Sequence, residues 1–132
     1  LETIDEKISF KKLIKLHRCV AIADGFYEWK REEKVKTPYY FLREDKKNMY
    51  MAGIYENDEF CLITENASEN INIIHNRQPV ILNEADVNRY LNLELSGSNF
   101  LNECKKTKLS FYEVSKEVNK PTNNSISLIQ QI

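Results

Sequence analysis

The sequence predicts an α+β fold in which a few short helices accompany a mainly antiparallel sheet that is curled or barrel-like. Apolar stretches of strand length follow one another through the first half of the chain. Strand-like and helix-like segments do not alternate as they do in βαβ proteins, so a parallel sheet is not expected. Asn57-Asp58 separates two of the apolar stretches and suits a hairpin turn. All 132 residues are expected to form one domain.

The first half of the chain is predicted to form one helix and a series of strands. Ser9 suits the N-cap of a helix over residues 10–17, whose apolar side chains share one face. Asp24-Gly25 is predicted to form a turn between the first two strands. The predicted strands cover residues 19–23, 26–31, 38–43, 49–55 and 59–64.

The second half of the chain is predicted to hold most of the helical residues. Asn83 suits the N-cap of one helix, and Gly97 separates that helix from the next. The tail after Asn119 is rich in Asn and Ser and is expected to be extended. The predicted elements are a short helix or irregular loop at 65–74, a strand at 79–82, helices at 84–92 and 98–106, and a strand at 109–114.

The composition is that of a soluble globular protein. Hydrophobic residues make up 42% of the chain, and no apolar run approaches the roughly 20 residues that span a bilayer. No membrane partner is therefore expected, and a cytoplasmic monomer is the simplest reading. The formal net charge of −1 argues against sequence-blind binding of DNA by a polycation, although it leaves room for a local basic groove.

The cysteines and histidines do not form a metal-binding pattern. The chain has three cysteines, two histidines and no CxxC motif, so neither a structural zinc site nor another metal or organic cofactor is expected. Reduced thiols are the simplest state for Cys19, Cys61 and Cys104. Cys61 lies between Phe60 and Leu62 and is expected in the core, whereas Cys104 is expected on a polar helix.

Glu28 is the first candidate for proton transfer. It lies in the strand at 26–31, where alternation places Phe26 and Glu28 on one face and Tyr27 and Trp29 on the other. A carboxylate among aromatic side chains is partly desolvated, which favours general acid or base chemistry. The alternative is a solvent-facing strand residue paired with a lysine.

His75 and Arg77 are the second candidate group. His75 precedes a predicted strand, and histidine is the usual proton carrier near neutral pH. Arg77 could share a face with His75 and bind a phosphate, bidentately if the geometry allows. The alternative is a structural histidine beside a surface arginine. A hydrolase built from Cys19, His75 and Glu28 is disfavoured, because Cys19 begins an apolar strand with no helix N-terminus to activate its thiol.

Aromatic and basic residues interleave around Trp29. Stacking side chains with scattered positive charge are typical of proteins that bind single-stranded nucleic acid. An ordinary sheet with tyrosines on one face and a solvated charged loop would give the same pattern. The residues concerned are Tyr27, Trp29, Lys30, Arg31, Lys34, Lys36, Tyr39 and Tyr40.

Two segments resemble signature motifs of the SOS-response-associated peptidase (SRAP) family. Residues 18–29, which begin Arg18-Cys19 and end ADGFYEW, are similar to the family's RC…ADGFYEW motif. Residues 74–82 resemble its IHxRMPVIL motif, with Gln78 in place of the common Met. The strand that ends at Thr64 and the late VSxxVN segment at 114–119 agree in order and spacing. Because the motifs are specific in combination, the chain is identified as a member of this family along nearly its whole length.

The resemblance implies a DNA-damage response protein that binds single-stranded DNA and crosslinks abasic sites covalently. Family members join the amine and thiol of an N-terminal cysteine to the ring-opened sugar aldehyde, after autoproteolytic removal of the initiator Met, and form a thiazolidine. Leu1-Glu2-Thr3 resembles the residues that follow the family's Asn-Ala-Arg. The nucleophilic cysteine is therefore expected upstream of Leu1, and residues 1–132 are expected to be an N-terminally truncated SRAP-like domain.

The family roles carry over onto five residues. The resemblance assigns Glu28 and His75 to acid/base catalysis, Thr64 and Arg77 to the phosphates beside the lesion, and Trp29 to stacking on a base. The implied partner is single-stranded DNA with abasic sites, and a bacterial protein of this kind would be associated with the nucleoid. Two alternatives stay open: a non-catalytic module that binds single-stranded DNA, and an inactive fragment without its nucleophile.

Overall fold

The structure, a computed structural model, describes residues 1–2 and 8–132, with the side chains of residues 8 and 9 left aside. Its helices are α1 (Ile8–Leu16), α2 (Glu69–Asn72), α3 (Glu84–Leu91) and α4 (Gly97–Glu103). Its strands are β1 (Arg18–Ala23), β2 (Phe26–Glu32), β3 (Val35–Arg43), β4 (Met49–Glu56), β5 (Glu59–Leu62), β6 (Thr64–Asn66), β7 (Arg77–Pro79), β8 (Ile81–Leu82) and β9 (Leu109–Glu113). Short 3₁₀ turns follow at Lys116–Asn119 and Ile126–Ile129.

All the paired strands described are antiparallel, which confirms the predicted α+β class. Strand β4 lies at the centre of the first sheet, between β1 on one side and β5 and β8 on the other. A second sheet has the order β2-β3-β9, and β6 pairs with β7 alone. The sheets of the described residues stay open, so the predicted curled or barrel-like sheet does not close into a barrel.

The first sheet is buried on both faces because alternate side chains of β4 enter two different cores. Ala52 and Ile54 pack beneath the helices with Leu82, Tyr90 and Leu101. Met49 and Met51 point the other way, into a core shared with the second sheet and α2. Helices, first sheet and second sheet therefore form three layers, and the second core carries the elements that hold the candidate site.

Aromatic ladders run across the second sheet. On its core side the rings of Phe26, Phe41 and Phe111 are neighbours, with centroids 5.0 and 5.2 Å apart. On the opposite side Tyr27, Tyr40 and Tyr112 form a parallel row with centroid spacings of 5.5 and 5.8 Å. The tail covers this row, because the Tyr112 hydroxyl donates to the Ile129 carbonyl and Leu128 is buried.

A ring of three backbone hydrogen bonds joins the first sheet to β6 and β7. The Ile63 N–H donates to the Ala52 carbonyl, Val80 N–H to the Ile63 carbonyl, and Ala52 N–H to the Val80 carbonyl, each over 2.9 Å. All three residues are buried. Residue 63 lies between β5 and β6, and residue 80 between β7 and β8. The β6–β7 pair is thus fixed in register to the core.

Arg18 ties the helices together from a buried position. Its guanidinium donates to the backbone carbonyls of Ile14 at 2.6 Å, of Tyr90 and Asn92 at 2.9 Å, and of Leu95 at 2.6 Å. These carbonyls lie near the C-terminal ends of α1 and α3, where positive charge is favourable. Burial lowers the pKa of Arg18, and the carbonyls take the place of a carboxylate partner.

Several predictions about the elements were wrong. Ser9 lies inside α1 rather than before it. Asn83 does precede α3, but its side chain accepts a hydrogen bond from the Thr107 hydroxyl, 3.0 Å away, and does not cap the helix. The tail is not simply extended, since it forms a 3₁₀ turn at Ile126–Ile129. In the described part of the chain, no helix is long and apolar enough to cross a membrane.

Candidate active site and nucleic-acid interface

Glu28 and His75 approach each other across the edge of the second sheet. Glu28 lies on the edge strand β2, and its Oε1 accepts the backbone N–H of Trp29 at 3.2 Å. His75 follows α2, where its own N–H donates to the Ile71 carbonyl at 3.0 Å. The His75 Nε2 and Glu28 Oε1 atoms are 3.9 Å apart, and the two side chains are 35% and 32% exposed. The pair is therefore half-buried, within ion-pair distance, and reachable from solvent.

The backbone of Arg77 orients the imidazole of His75. The Arg77 N–H donates to His75 Nδ1 at 3.1 Å. When Nδ1 accepts this N–H, the hydrogen of the neutral imidazole lies on Nε2, which faces Glu28. When Nδ1 carries the hydrogen, it can donate instead to the Arg77 carbonyl, 3.2 Å away. Either tautomer of His75 therefore keeps a contact to the backbone of Arg77.

The side chain of Arg77 holds Thr64 across the β6–β7 pair. Arg77 Nε and Nη2 both donate to Thr64 Oγ1, at 3.3 and 3.1 Å. Arg77 Nη1 donates to Asn66 Oδ1 at 2.7 Å. Thr64 is exposed and Arg77 partly so. A hydroxyl and a guanidinium therefore lie together at the surface, beside the Glu28–His75 pair, as an anion-binding group requires.

Glu2 is a residue of this site that sequence reasoning missed. Its Oε1 accepts from Arg77 Nη1 at 2.7 Å, and its Oε2 accepts the Asn66 N–H at 2.9 Å. Burial alone would raise the pKa of Glu2, but the hydrogen bonds from Asn66 and Arg77 outweigh it and hold the pKa to about 2. In the sequence, only its place in the Leu1-Glu2-Thr3 segment, which resembles the residues after the family's Asn-Ala-Arg, pointed to Glu2 as a site residue. Thr3 lies outside the described residues.

Trp29 lies on the opposite face of β2 from Glu28, as strand alternation predicts. Its ring packs beside that of Tyr27, with centroids 6.4 Å apart, and its indole N–H donates to Asn119 Oδ1 at 2.6 Å. A shallow surface depression runs around the strand edge at this point. Its lining residues are Glu28, Trp29, Arg31, Lys36 and Asn119. In the sequence, Asn119 stands out only as the end of the VSxxVN segment.

None of the three cysteines joins this site. Cys19 pairs with Gly53 inside the first sheet, and burial raises the pKa of its thiol, which opposes a nucleophilic role. Cys61 was expected in the core but is exposed, on strand β5 at the edge of the first sheet. Cys104 follows α4 and is partly buried. Among the residues that the structure describes, no group of His, Cys, Asp and Glu could hold a metal ion.

The fold and site define an antiparallel α+β protein with a carboxylate–imidazole pair beside a threonine–arginine pair. The family model for the SOS response associated peptidase (SRAP) matches residues 1–121. This chain therefore belongs to the SRAP family.

Similar proteins come from bacteria and eukaryotes. The chain is 34% identical to the abasic site processing protein YoqW of Bacillus subtilis, over 98% of this chain and 64% of that protein. It is 28% identical to the abasic site processing protein YedK of Escherichia coli, over 100% of this chain and 65% of that protein. A crystal structure of a protein from Bacteroides thetaiotaomicron has a TM-score of 0.86 at 27% identity, over 99% of this chain and 63% of that one. The chain thus spans less than two thirds of each of these proteins.

Proposed function

We propose that this chain forms the DNA-binding and proton-transfer part of a protein that crosslinks abasic sites in single-stranded DNA. The observation that carries the proposal is the continuity of the site through Arg77. Its backbone orients His75 toward Glu28, and its side chain holds Thr64. The names of the relatives, which are abasic site processing proteins, support the same damage-related role.

The proposed chemistry begins with opening of the abasic sugar. A general base removes the proton of the C1′ hydroxyl, and a general acid protonates the ring oxygen, so that an aldehyde is released. Glu28 and His75 are the two groups for these transfers, because each exchanges protons and the pair lies within 3.9 Å. The amine of an N-terminal cysteine then condenses with the aldehyde, water leaves, and the thiol adds to the resulting imine to close a thiazolidine.

The proposed DNA contacts lie on either side of this pair. Thr64 and Arg77 bind a backbone phosphate, and Trp29 stacks on a base beside the lesion. Base stacking is worth about 1–3 kcal/mol per base and tolerates any sequence, whereas a phosphate contact carries no base information. Lys36 and Arg31 add positive charge to the depression next to Trp29. A groove of this kind favours unpaired bases over a duplex.

The test separates covalent capture from binding. Abasic single-stranded DNA is incubated with the 132-residue chain and, in parallel, with a longer form that begins with Cys and continues into Leu1. The longer form should give a heat-stable adduct on a denaturing gel, and the 132-residue chain should bind without one. Cys19→Ala is the matched control in both forms. An adduct from the shorter chain that disappears in Cys19→Ala would overturn the proposed chemistry.

A further inference from the structure

The guanidinium of Arg77 is almost fully occupied by protein atoms. Nε and Nη2 donate to Thr64, and Nη1 donates to Glu2 and Asn66. An arginine has five N–H groups, of which these contacts use four and leave one on Nη2. A bidentate grip on phosphate, which the sequence left open, is therefore incompatible with the arrangement as it stands.

The same contacts fix the role of the Thr64 hydroxyl. A hydroxyl oxygen has two lone pairs and one hydrogen. Both lone pairs face N–H groups of Arg77, at 3.3 and 3.1 Å. The hydroxyl can then act outward only as a donor, and within the described part of the chain no contact takes its hydrogen. Thr64 and the remaining Nη2 N–H thus offer two neighbouring donors to an incoming anion.

Glu2 makes two of the contacts that hold this arrangement in place. Its carboxylate bridges the Asn66 N–H and Arg77 Nη1, while the Asn66 side chain accepts from the same Nη1. The Arg77 side chain is 32% exposed and that of Glu2 42%. Without the bridge, a long, half-exposed arginine would sample several rotamers, and ordering it on DNA would cost conformational entropy.

We propose that Glu2 is a positioning residue, which clamps Arg77 so that Thr64 and one Nη2 N–H form a two-donor, charge-neutral site for a DNA phosphate. This inference rests on the proposed function, because it takes the anion to be a phosphodiester of the bound strand. In a longer protein a peptide bond replaces the Leu1 ammonium, which here lies 3.9 Å from Glu2 Oε1, so that Glu2 cancels the charge of Arg77. Affinity then comes from preorganised hydrogen bonds more than from net charge. Binding at this site therefore depends little on salt.

If Glu2 instead competed with the phosphate for Arg77, its removal would change DNA affinity in the opposite direction. If the carboxylate occupied the phosphate's own place on Arg77, its removal would free the guanidinium and tighten DNA binding. If it positions Arg77, its removal weakens binding even though the protein gains one unit of positive charge. The comparison is made at moderately high salt, where the Debye length falls well below about 10 Å. Long-range attraction between DNA and the added positive charge of the variant is then suppressed.

The experiment measures non-covalent affinity in the longer, Cys-initiated protein. The probe is single-stranded DNA that carries a tetrahydrofuran abasic analogue, which has no aldehyde and cannot crosslink. Glu2→Gln should weaken binding about tenfold, the size expected when a released arginine side chain must be ordered on DNA. Glu94→Gln makes the same charge change at an exposed residue of another surface and should leave affinity unchanged. Glu2→Asp keeps the charge with a shorter reach and should restore part of the loss.

Further readouts separate the possible failures. The Nε–H resonance of Arg77 should exchange slowly with water in the parent and quickly in Glu2→Gln, which a purely structural role would not produce. Combining Glu2→Gln with Arg77→Ala should add nothing to Arg77→Ala alone. Unchanged or tighter binding in Glu2→Gln would overturn the positioning role; if that variant does not fold, parent-like binding by Glu2→Asp would do so. Unchanged binding in Arg77→Ala would instead show that Arg77 makes no phosphate contact, which contradicts the proposed function.

Discussion

Gly25 lies against the ring of Tyr40, so closely that a β-carbon at residue 25 would stand 2.4 Å from the Cζ atom of the tyrosine. The same β-carbon would meet the backbone carbonyl oxygen of Phe41 at 2.4 Å. Gly25→Ala should therefore force β2 away from β3 and destabilise the protein by about 1–3 kcal/mol, the usual cost of overpacking. Urea unfolding measures the loss.

Gly53 supplies the comparison for this substitution. A β-carbon there would lie 3.0 Å from Cys19 Sγ and 3.1 Å from the Cys61 carbonyl oxygen, contacts that small shifts can relieve. Gly53→Ala should cost less than Gly25→Ala. If Gly53→Ala lowered the free energy of unfolding more than Gly25→Ala, the approach of Tyr40 to Gly25 would not determine the position of β2.

The Glu28–His75 pair should affect the rate of crosslinking more than the affinity for DNA. Glu28→Gln keeps size and hydrogen bonding but removes proton exchange, and His75→Ala removes the imidazole. Each should slow single-turnover adduct formation at saturating abasic DNA by about 10²–10⁴-fold in the longer, Cys-initiated protein. Affinity for the tetrahydrofuran analogue should change little. Parent-like rates in both variants, measured across about pH 5–9, would leave the pair with a structural role only.

Asn119 should act on DNA binding through Trp29. Its side chain accepts the indole N–H at 2.6 Å, so Asn119→Ala releases the ring without removing it. Trp29→Ala should cost about 1–3 kcal/mol of affinity for single-stranded DNA, the worth of one stacked base, and Asn119→Ala a smaller part of that. Fluorescence anisotropy measures both, with the exposed Asn124→Ala as the matched control. Equal affinity in Trp29→Ala and the parent would argue against stacking.

Arg18 should matter to stability far more than an exposed arginine does. Arg18→Met keeps much of the apolar stem but leaves the buried carbonyls of Ile14 and Tyr90 without their donor. A loss of about 3 kcal/mol or more is expected, since each unsatisfied buried acceptor costs about 1–3 kcal/mol. Arg89→Met removes an arginine that is 65% exposed and should change stability by less than about 1 kcal/mol. Denaturant unfolding of the two variants compares them directly.

Local periodicity in the sequence was enough to predict β2 and the faces of its side chains. Phe26 joins the second core, and Trp29 lies beside Tyr27 on the other side, as alternation requires. The exposure of Cys61 was not predictable in this way, because it depends on the place of β5 at the edge of the first sheet. The tail was misjudged for a similar reason, since the burial of Leu128 depends on a distant tyrosine row.

The candidate site could be predicted residue by residue but not as a connected group. Motif resemblance selected Glu28 and His75, which the fold brings to 3.9 Å from each other. It gave no sign that Glu2 would contact Arg77, because 75 residues separate the two and no local pattern links a carboxylate to an arginine at that distance along the chain. Partners of this kind follow from strand register, which side-chain patterns specify only through the assembled sheet.

The ring of backbone hydrogen bonds among Ala52, Ile63 and Val80 limits where this chain can vary in length. An added or deleted residue between β5 and β6, or between β7 and β8, would break two of its three bonds and turn Thr64 or Arg77 to the wrong face. The hairpin tip at Asn57-Asp58 carries no such restriction. Natural variants and engineered fusions should therefore tolerate insertions at that tip and exclude them beside Ile63 and Val80.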